Sequence, residues 1–166
     1  MNDTLQTSAP PIFAAGDVTG EPMLEPLAGV GGAIAAENAL TGKGRRINRA
    51  ALPHGVFTTP QVASVGLTEA QARAKGIPVR CRSVSLEGLS RAMIGRDTRG
   101  LVKMVAHEKT GKILGVHICA PLASEIIMEG VLAVKHGLTT DDLVDTFHVF
   151  PTMAGAIQDC ARAFRT

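Results

Sequence analysis

The chain of 166 residues contains no tryptophan, no tyrosine and only five phenylalanines. Proteins that grip single-stranded nucleic acid stack bases on aromatic faces, and this chain has little material for such a platform. Net charge is nearly absent too: 17 Lys and Arg against 15 Asp and Glu leave +2. That is too little to draw the chain to nucleic acid or to an anionic membrane. Cysteine is scarce. Cys81, Cys119 and Cys160 are odd in number and far apart, without a CxxC pair or a Cys/His cluster at zinc spacing. This is the thiol inventory of a cytoplasmic protein and not a disulfide framework, and no metal site is expected. The apolar runs fall short of the ~20 residues of a membrane span. Met1 is followed by polar Asn2, Asp3 and Thr4, not by a signal peptide. The expectations are a cytoplasmic location and no nucleic-acid or membrane partner.

What is present begins at Ile12-Phe13-Ala14-Ala15-Gly16-Asp17. The run reads as a short buried strand with a tight exit. Gly16 allows a close approach to the backbone. Asp17 then falls at the carboxyl end of the strand, where open α/β sheets bind ligands. The polar residues 1–11 read as an extended lead-in. Pro26 suits the first turn of a helix over Pro26–Leu40, with Leu27, Val30 and Ile34 on its apolar face and Gly42 at its end. Gly29, Gly31 and Gly32 each cost that helix about 1 kcal/mol against alanine. This predicts close packing, on a sheet or on a bound ring system. Residues 43–53, with Lys43, Arg45, Arg46 and Arg49, read as a basic linker closed by Pro53.

From His54 the pattern is α+β. Val56-Phe57 and Val62–Leu67 read as one strand broken at Pro60. Thr68 and Gln71 form a capping box for a short helix that stops at Gly76. Val79–Leu86 is a strand, and Glu87–Arg99 a loop rich in arginine. Leu101–Ala106 and Ile113–Cys119 make a hairpin. Leu122–His136 is a long apolar helix stopped by Gly137, and Thr139 or Thr140 caps a short one over Asp141–Thr146. After an extended His148–Pro151, a last helix aligns Met153, Ile157, Cys160 and Phe164. The fold class is an α+β domain, an antiparallel sheet with helices on one side, preceded by a strand–helix fragment of an α/β domain.

Two stretches carry a family resemblance. Thr7–Val18, ending in Ile12-Phe13-Ala14-Ala15-Gly16-Asp17-Val18, resembles the second flavin-binding motif of the pyridine nucleotide-disulfide oxidoreductases. Phe57-Thr58-Thr59-Pro60-Gln61-Val62-Ala63-Ser64-Val65-Gly66-Leu67-Thr68-Glu69 resembles the opening of that family's dimerisation domain. Arg91-Ala92, Asp97-Thr98-Arg99-Gly100 and Phe150-Pro151-Thr152-Met153 are similar to the mercuric reductase branch. The resemblance implies FAD as cofactor, NAD(P)H as reductant of the full-length parent and a homodimer formed through residues 54–166. It implies that residues 1–42 end an FAD-binding domain, and that 43–53 link it to the dimerisation domain. It also implies a partial flavin site of Gly16, Asp17, Leu24, Glu25, Pro26 and Leu27. Asp17 would hydrogen-bond the ribityl chain, and the helix beginning at Leu24-Glu25-Pro26-Leu27 would point at the flavin ring. The positive end of that helix suits the anion that develops on a reduced flavin.

The departures from the family pattern shape the expectation as much. No Gly-rich pyrophosphate loop follows a strand, no redox cysteine pair is present, and the tail of paired cysteines seen in mercuric reductases is missing. The chain therefore reads as a C-terminal third of such an enzyme, not catalytically complete alone. Where glutathione reductase-like members carry an acid–base histidine before Pro-Thr, this sequence has Phe150, and Gly155 stands at the paired glutamate. No catalytic residue is assigned. His148 reads as a partly exposed loop histidine, Glu125 and Glu129 as a polar helix edge, and His54, His107, His117 and His136 as structural or surface residues. Cys160 reads as a buried inert thiol. Three alternatives stand beside this reading: a stand-alone dimerisation module, a parent like dihydrolipoamide dehydrogenase or glutathione reductase, and a small thiol metal-binding protein.

Overall fold

A computed structural model of the chain describes residues 1–20 and 22–166. Internal contacts divide the chain into two units, Met1–Leu52 and Pro53–Thr166.

In the first unit, helix α1 runs Glu25–Thr41. Pro26 sits in its first turn, where no amide is needed. Gly42, at φ 65°, closes the helix by donating its N–H to the Asn38 carbonyl. The buried face is Leu27, Gly31, Ile34, Ala35 and Asn38. Val30, expected on that face, is exposed, because the face centres on Gly31. Atoms of Leu5, Ala15 and Ile47 lie 3.6 to 3.7 Å from where a Gly31 Cβ would stand. Gly29 and Gly32 face outward and contact none of these core residues, so only one of the three helix glycines packs closely.

The strand expected over Ile12–Asp17 is reduced to one antiparallel bridge between Gln6 and Phe13, and Ile12 is exposed. Among the described residues of this unit no other strand offers a ladder to join. The lead-in is not extended either. Asn2 Oδ1 accepts hydrogen bonds from Thr4 and Gln6 N–H, turning the chain so that Leu5, 2 % exposed, packs on Ile34 and Ala35. Buried Asn38 ties the basic stretch to this unit. Its Nδ2 donates to the Thr4 and Arg45 carbonyls, and its Oδ1 accepts from Arg45 N–H at 2.7 Å.

In the second unit β1 (His54–Val56), β2 (Gln61–Gly66), β3 (Val79–Ser85), β4 (Leu101–His107) and β5 (Ile113–Ala120) form one antiparallel sheet in the order β1-β2-β5-β4-β3. The single broken strand expected around Pro60 is two strands, β1 and β2, folded back on each other. The expected loop Glu87–Arg99 contains a 3-10 turn, Leu86–Gly88, and a short helix α3, Ser90–Ile94. Ala92 is the buried residue of α3, a single apolar contact too short in sequence to show periodicity.

Two cross-strand rows build the covered face: Val65, Val116 and Met104, and Ala63, Ile118 and Val102. All six are essentially buried. Helix α4 (Ala123–His136) lies over β2 and β5, and α6 (Gly155–Arg162) over β3 and β4, with α5 (Thr140–Asp145) packed on α6. Helix α2 (Glu69–Ala74) lies on the opposite face, where Ala72 meets Val79 and Val105. Its capping box of Thr68 and Gln71 forms as expected. Met153, Ile157 and Cys160 are buried as the stripe predicts. Phe164 lies beyond α6 and stacks at the edge strand, 5.2 Å from the Arg80 guanidinium and 5.8 Å from that of Arg82.

Gly130 sets how closely α4 lies on the sheet. A Cβ there would stand 2.9 Å from Val116 Cβ and 3.1 Å from its Cγ2. Gly130→Ala should therefore lower the denaturant midpoint, since overpacking of about 1–3 kcal/mol exceeds the roughly 1 kcal/mol that alanine returns in helix propensity. In a Val116→Ala background, which removes both Cγ contacts but keeps the Cβ at 2.9 Å, the same substitution should cost less than it does in wild type. Equal effects in both backgrounds would show that this contact does not set the packing.

Candidate functional site

The residues expected to touch flavin lie at two adjoining points of the first unit. Gly16 takes φ 80°, and Asp17 opens a 3-10 turn over Asp17–Thr19. Thr19 N–H and Oγ1 both bond the Gly16 carbonyl, so the turn is held by its own groups. The Asp17 side chain is exposed and makes no hydrogen bond to another described residue. A Cβ on Gly16 would lie 3.7 Å from Ala28 Cβ, so the turn abuts the first turn of α1. Leu24, in extended conformation, is the helix N-cap and offers no side-chain acceptor. Glu25 and Pro26 are exposed, and Leu27 is buried. The structure thus brings Gly16 and Asp17 beside the start of α1, leaving a carboxylate and an uncapped positive helix end open to a ligand. Chemically, these groups offer acceptors for hydroxyls and partial positive charge for an electron-rich group.

In the second unit the segment after α5 carries most of the unexpected features. Phe147, Val149 and Phe150 are 102, 78 and 80 % exposed. They line, with Leu89, Arg91 and Arg162, one side of a cavity of about 420 Å³. Gly155 begins α6, so neither Phe150 nor Gly155 can transfer a proton. His148 lies in a loop and is partly exposed, as the sequence reading has it, but it also has partners that the reading did not foresee. Its side chain is only 11 % exposed, with Nε2 2.8 Å from Glu129 Oε1 and Nδ1 3.0 Å from the Thr146 carbonyl. Glu129 is thus one end of a pair and not a free polar edge. Spacing gives no hint of it, since 19 residues separate the partners. The one sequence signal is a histidine set inside the otherwise apolar Phe147-His148-Val149-Phe150. Gln158, also missed, is buried and donates to the Val144 and Thr146 carbonyls, holding the start of the segment.

The other candidates have local partners. Arg99 makes a bidentate pair with Asp97, whose carboxyl is held down to about 2. His117 Nε2 lies against the Leu67 carbonyl. Cys160 is fully buried, its thiol facing the Arg82 and Val102 carbonyls, and burial pushes it up to about 12. Cys81 is also raised, first by burial and then by Glu69. Glu69 bonds Lys103 at 2.8 Å and Arg73 at 2.9 Å, and these partners, Lys103 foremost, lower its carboxyl from 4.5 to about 2. Among the described residues no group of three or more His, Cys, Asp or Glu could hold a metal ion. Among the described residues no helix is long and apolar enough to cross a membrane.

The five-stranded sheet with α4 and α6 over one face and α2 on the other is an α+β domain. The chain belongs to the pyridine nucleotide-disulphide oxidoreductases, whose dimerisation domain matches residues 52–161. It is 44 % identical over 164 residues to mercuric reductase of Streptomyces lividans, covering 99 % of this chain and 35 % of that protein. It is 42 % identical to mercuric reductase of Lysinibacillus sphaericus, covering 30 % of it, and 38 % identical to mitochondrial dihydrolipoyl dehydrogenase 1 of Arabidopsis thaliana, covering 32 %. The chain therefore spans about a third of the length of the curated relatives it matches. Among solved structures, LpdA of Mycobacterium tuberculosis superposes over 98 % of this chain and 36 % of its own, with TM-score 0.91 and 32 % identity. The HOCl-induced flavoprotein disulfide reductase RclA of Escherichia coli superposes over 97 % of this chain and 37 % of its own, with TM-score 0.87 and 29 % identity.

Two outcomes follow from the titrating groups. In a native thiol titration Cys160 should stay silent until denaturant is added, whereas a Cys160→Ser chain should lose no fast-reacting thiol; fast labelling of Cys160 would show that its site opens readily. Glu69, held low, contributes stability above its unfolded value near 4.5 and loses it as pH falls toward about 2. Glu69→Gln should lower stability at neutral pH and flatten its fall between about 4.5 and about 2, leaving the pH dependence near neutrality as in wild type. An acid limb identical to wild type would remove Glu69 from the account.

Proposed function

We propose that these residues form the flavin-contacting and dimerisation portion of an FAD-dependent NAD(P)H oxidoreductase resembling mercuric reductase. The observation that carries the reading is the match of residues 52–161 to the dimerisation domain, set within a likeness to mercuric reductases over 99 % of the chain. In this reading residues 1–42 end the FAD-binding domain, 43–53 join it to the rest, and 54–166 form the homodimer. Asp17 accepts hydrogen bonds from the ribityl hydroxyls. Gly16 keeps the turn clear of the cofactor, and the first turn of α1, from Leu24 to Leu27, aims its amides at the flavin ring. When bound, the flavin relays electrons from NAD(P)H to a dithiol. The residues here position it and supply no redox cysteine pair of their own. The dihydrolipoyl dehydrogenase likeness keeps a dithiol substrate for the parent in play beside the mercuric ion. A second reading, a self-associating module without redox activity, is favoured by the exposed Phe147, Val149 and Phe150.

Purified chain mixed with FAD and NADPH should show no stoichiometric yellow complex and no NADPH oxidation. A stable flavin complex with turnover would overturn the view that these residues are one portion of the machinery. Light scattering should report a dimer, and Phe147→Asp with Phe150→Asp should raise its dissociation constant by roughly a hundredfold. A clean monomer at high concentration would sink the homodimer.

A further inference from the structure

The surface around His148 is assembled from two pieces distant in sequence. One is the segment after α5, where Phe147, Val149 and Phe150 face solvent while His148 turns inward. The other is the outer side of α4, where Met128 and Leu132, one turn apart, are 51 and 50 % exposed. Leu132, Phe147 and Val149 line one groove with Leu138, and Glu129 and His148 lie in its wall. The hydrogen bond between Glu129 and His148 is the polar link that joins α4 to this segment among the described residues.

We infer that the His148–Glu129 pair is a clasp that assembles the surface on which a second copy of this chain docks. The inference rests on the homodimer reading above and adds the residues that position the surface. A second copy is the occupant because both pieces lie within residues 52–161, the stretch matched to a dimerisation domain. An apolar surface of this kind, contributed entire by one protomer, suits a self-complementary contact. The pair also solves an electrostatic problem. Burying Glu129 in an interface without a partner would leave a desolvated charge, and His148 supplies that partner before association.

The geometry fixes the protons. The Thr146 carbonyl only accepts, so Nδ1 carries a hydrogen. The second contact, Nε2 to Oε1, then needs one shared proton between imidazole and carboxylate. Without it the neutral ring has a single N–H and can donate to Glu129 or to the Thr146 carbonyl but not to both, so the segment is held less firmly. On the groove side, Glu129 is the titratable group facing His148. On the opposite side, Arg91 from α3, Asp145 from α5, and Asp159 and Arg162 from α6 share its cavity. Asp159 and Arg162 are bonded to each other there. His148 and Glu129 are positioning residues: they shape the surface and hand no proton to a substrate.

The test is sedimentation equilibrium of the full 166-residue chain from about pH 6 to about pH 9. The wild-type dissociation constant should rise about tenfold across that range. His148→Ala should show the weaker value throughout. Glu129→Gln should stay tight and lose the pH dependence, since a glutamine amide donates to a neutral Nε2 without a shared proton. Should His148→Ala fail to fold by circular dichroism, the Glu129→Gln profile decides alone. A wild-type dimer whose constant does not move with pH, or a Glu129→Gln chain that keeps the wild-type profile, overturns the clasp and leaves the homodimer standing. A wild-type monomer at all concentrations overturns both.

Discussion

The close approach of α4 to the sheet is the constraint on which the second unit depends. Gly130 lies against Val116, a fully buried residue at the centre of one cross-strand row. The helix contributes no side chain at that point and rests directly on that of Val116, so the helix is fixed in height and rotation. Everything that follows along α4 inherits this. Ile127 and Val131 are carried inward, and Met128 and Leu132 outward. Glu129, beside Gly130, is placed within 2.8 Å of His148. A core contact thus determines the geometry of a surface pair, and through it the conformation of the segment that presents Phe147, Val149 and Phe150. The same face is closed on its other half by α6, whose Cys160 thiol sits against the Arg82 and Val102 carbonyls. Burial that keeps this thiol protonated also keeps it a packing group rather than a reactive one.

The first unit is held by a different device. Its apolar cluster is small: Leu5, Ile34 and Ala35, with Phe13, Ala15 and Ile47 against them. Such a cluster contributes little by burial, so polar bonding has a larger share of the work. Buried Asn38 makes three bonds at 2.7 to 2.9 Å to Thr4 and Arg45. A buried amide satisfied on both ends specifies one arrangement of the chain around it. That arrangement places the Gly16–Asp17 turn beside the start of α1, which is the geometry the flavin reading needs.

How much of this was legible in the sequence follows from the range of the interactions. Caps and stops are local, so Pro26, Gly42, the Thr68–Gln71 box and Gly137 could be read directly, as could the β4–β5 hairpin, while the cap of α5 was narrowed to Thr139 or Thr140 and the structure has Thr139. The stripe of Met153, Ile157 and Cys160 was legible because it repeats at helical spacing. The Ile12–Asp17 strand was not, because a strand is a property of its neighbours, and an apolar run states only that it could be one. Leu5 was missed for the converse reason: nothing in the polar lead-in announces a buried residue, which the Asn2 turn creates. The flavin-contact residues were proposed from motif likeness, and the structure adds their proximity. Glu129 and His148 are joined only by the tertiary fold, so no window of sequence could pair them.

The relation between Phe150 and His148 shows why motif and site must be argued apart. A histidine close to Pro151 and Thr152 invites the idea that it replaces the acid–base group that Phe150 cannot be. The hydrogen bonds argue otherwise. A proton-transfer group needs one ring nitrogen free to meet its substrate, and both nitrogens of His148 are engaged, by the Thr146 carbonyl and by Glu129. The alternation of the segment points the same way, since turning His148 inward is what turns Phe147 and Val149 outward. To free the imidazole for chemistry the segment would have to release its hold on α4 and with it the surface that the exposed side chains form. One histidine cannot serve both purposes in this geometry, and the distances assign it to holding the surface.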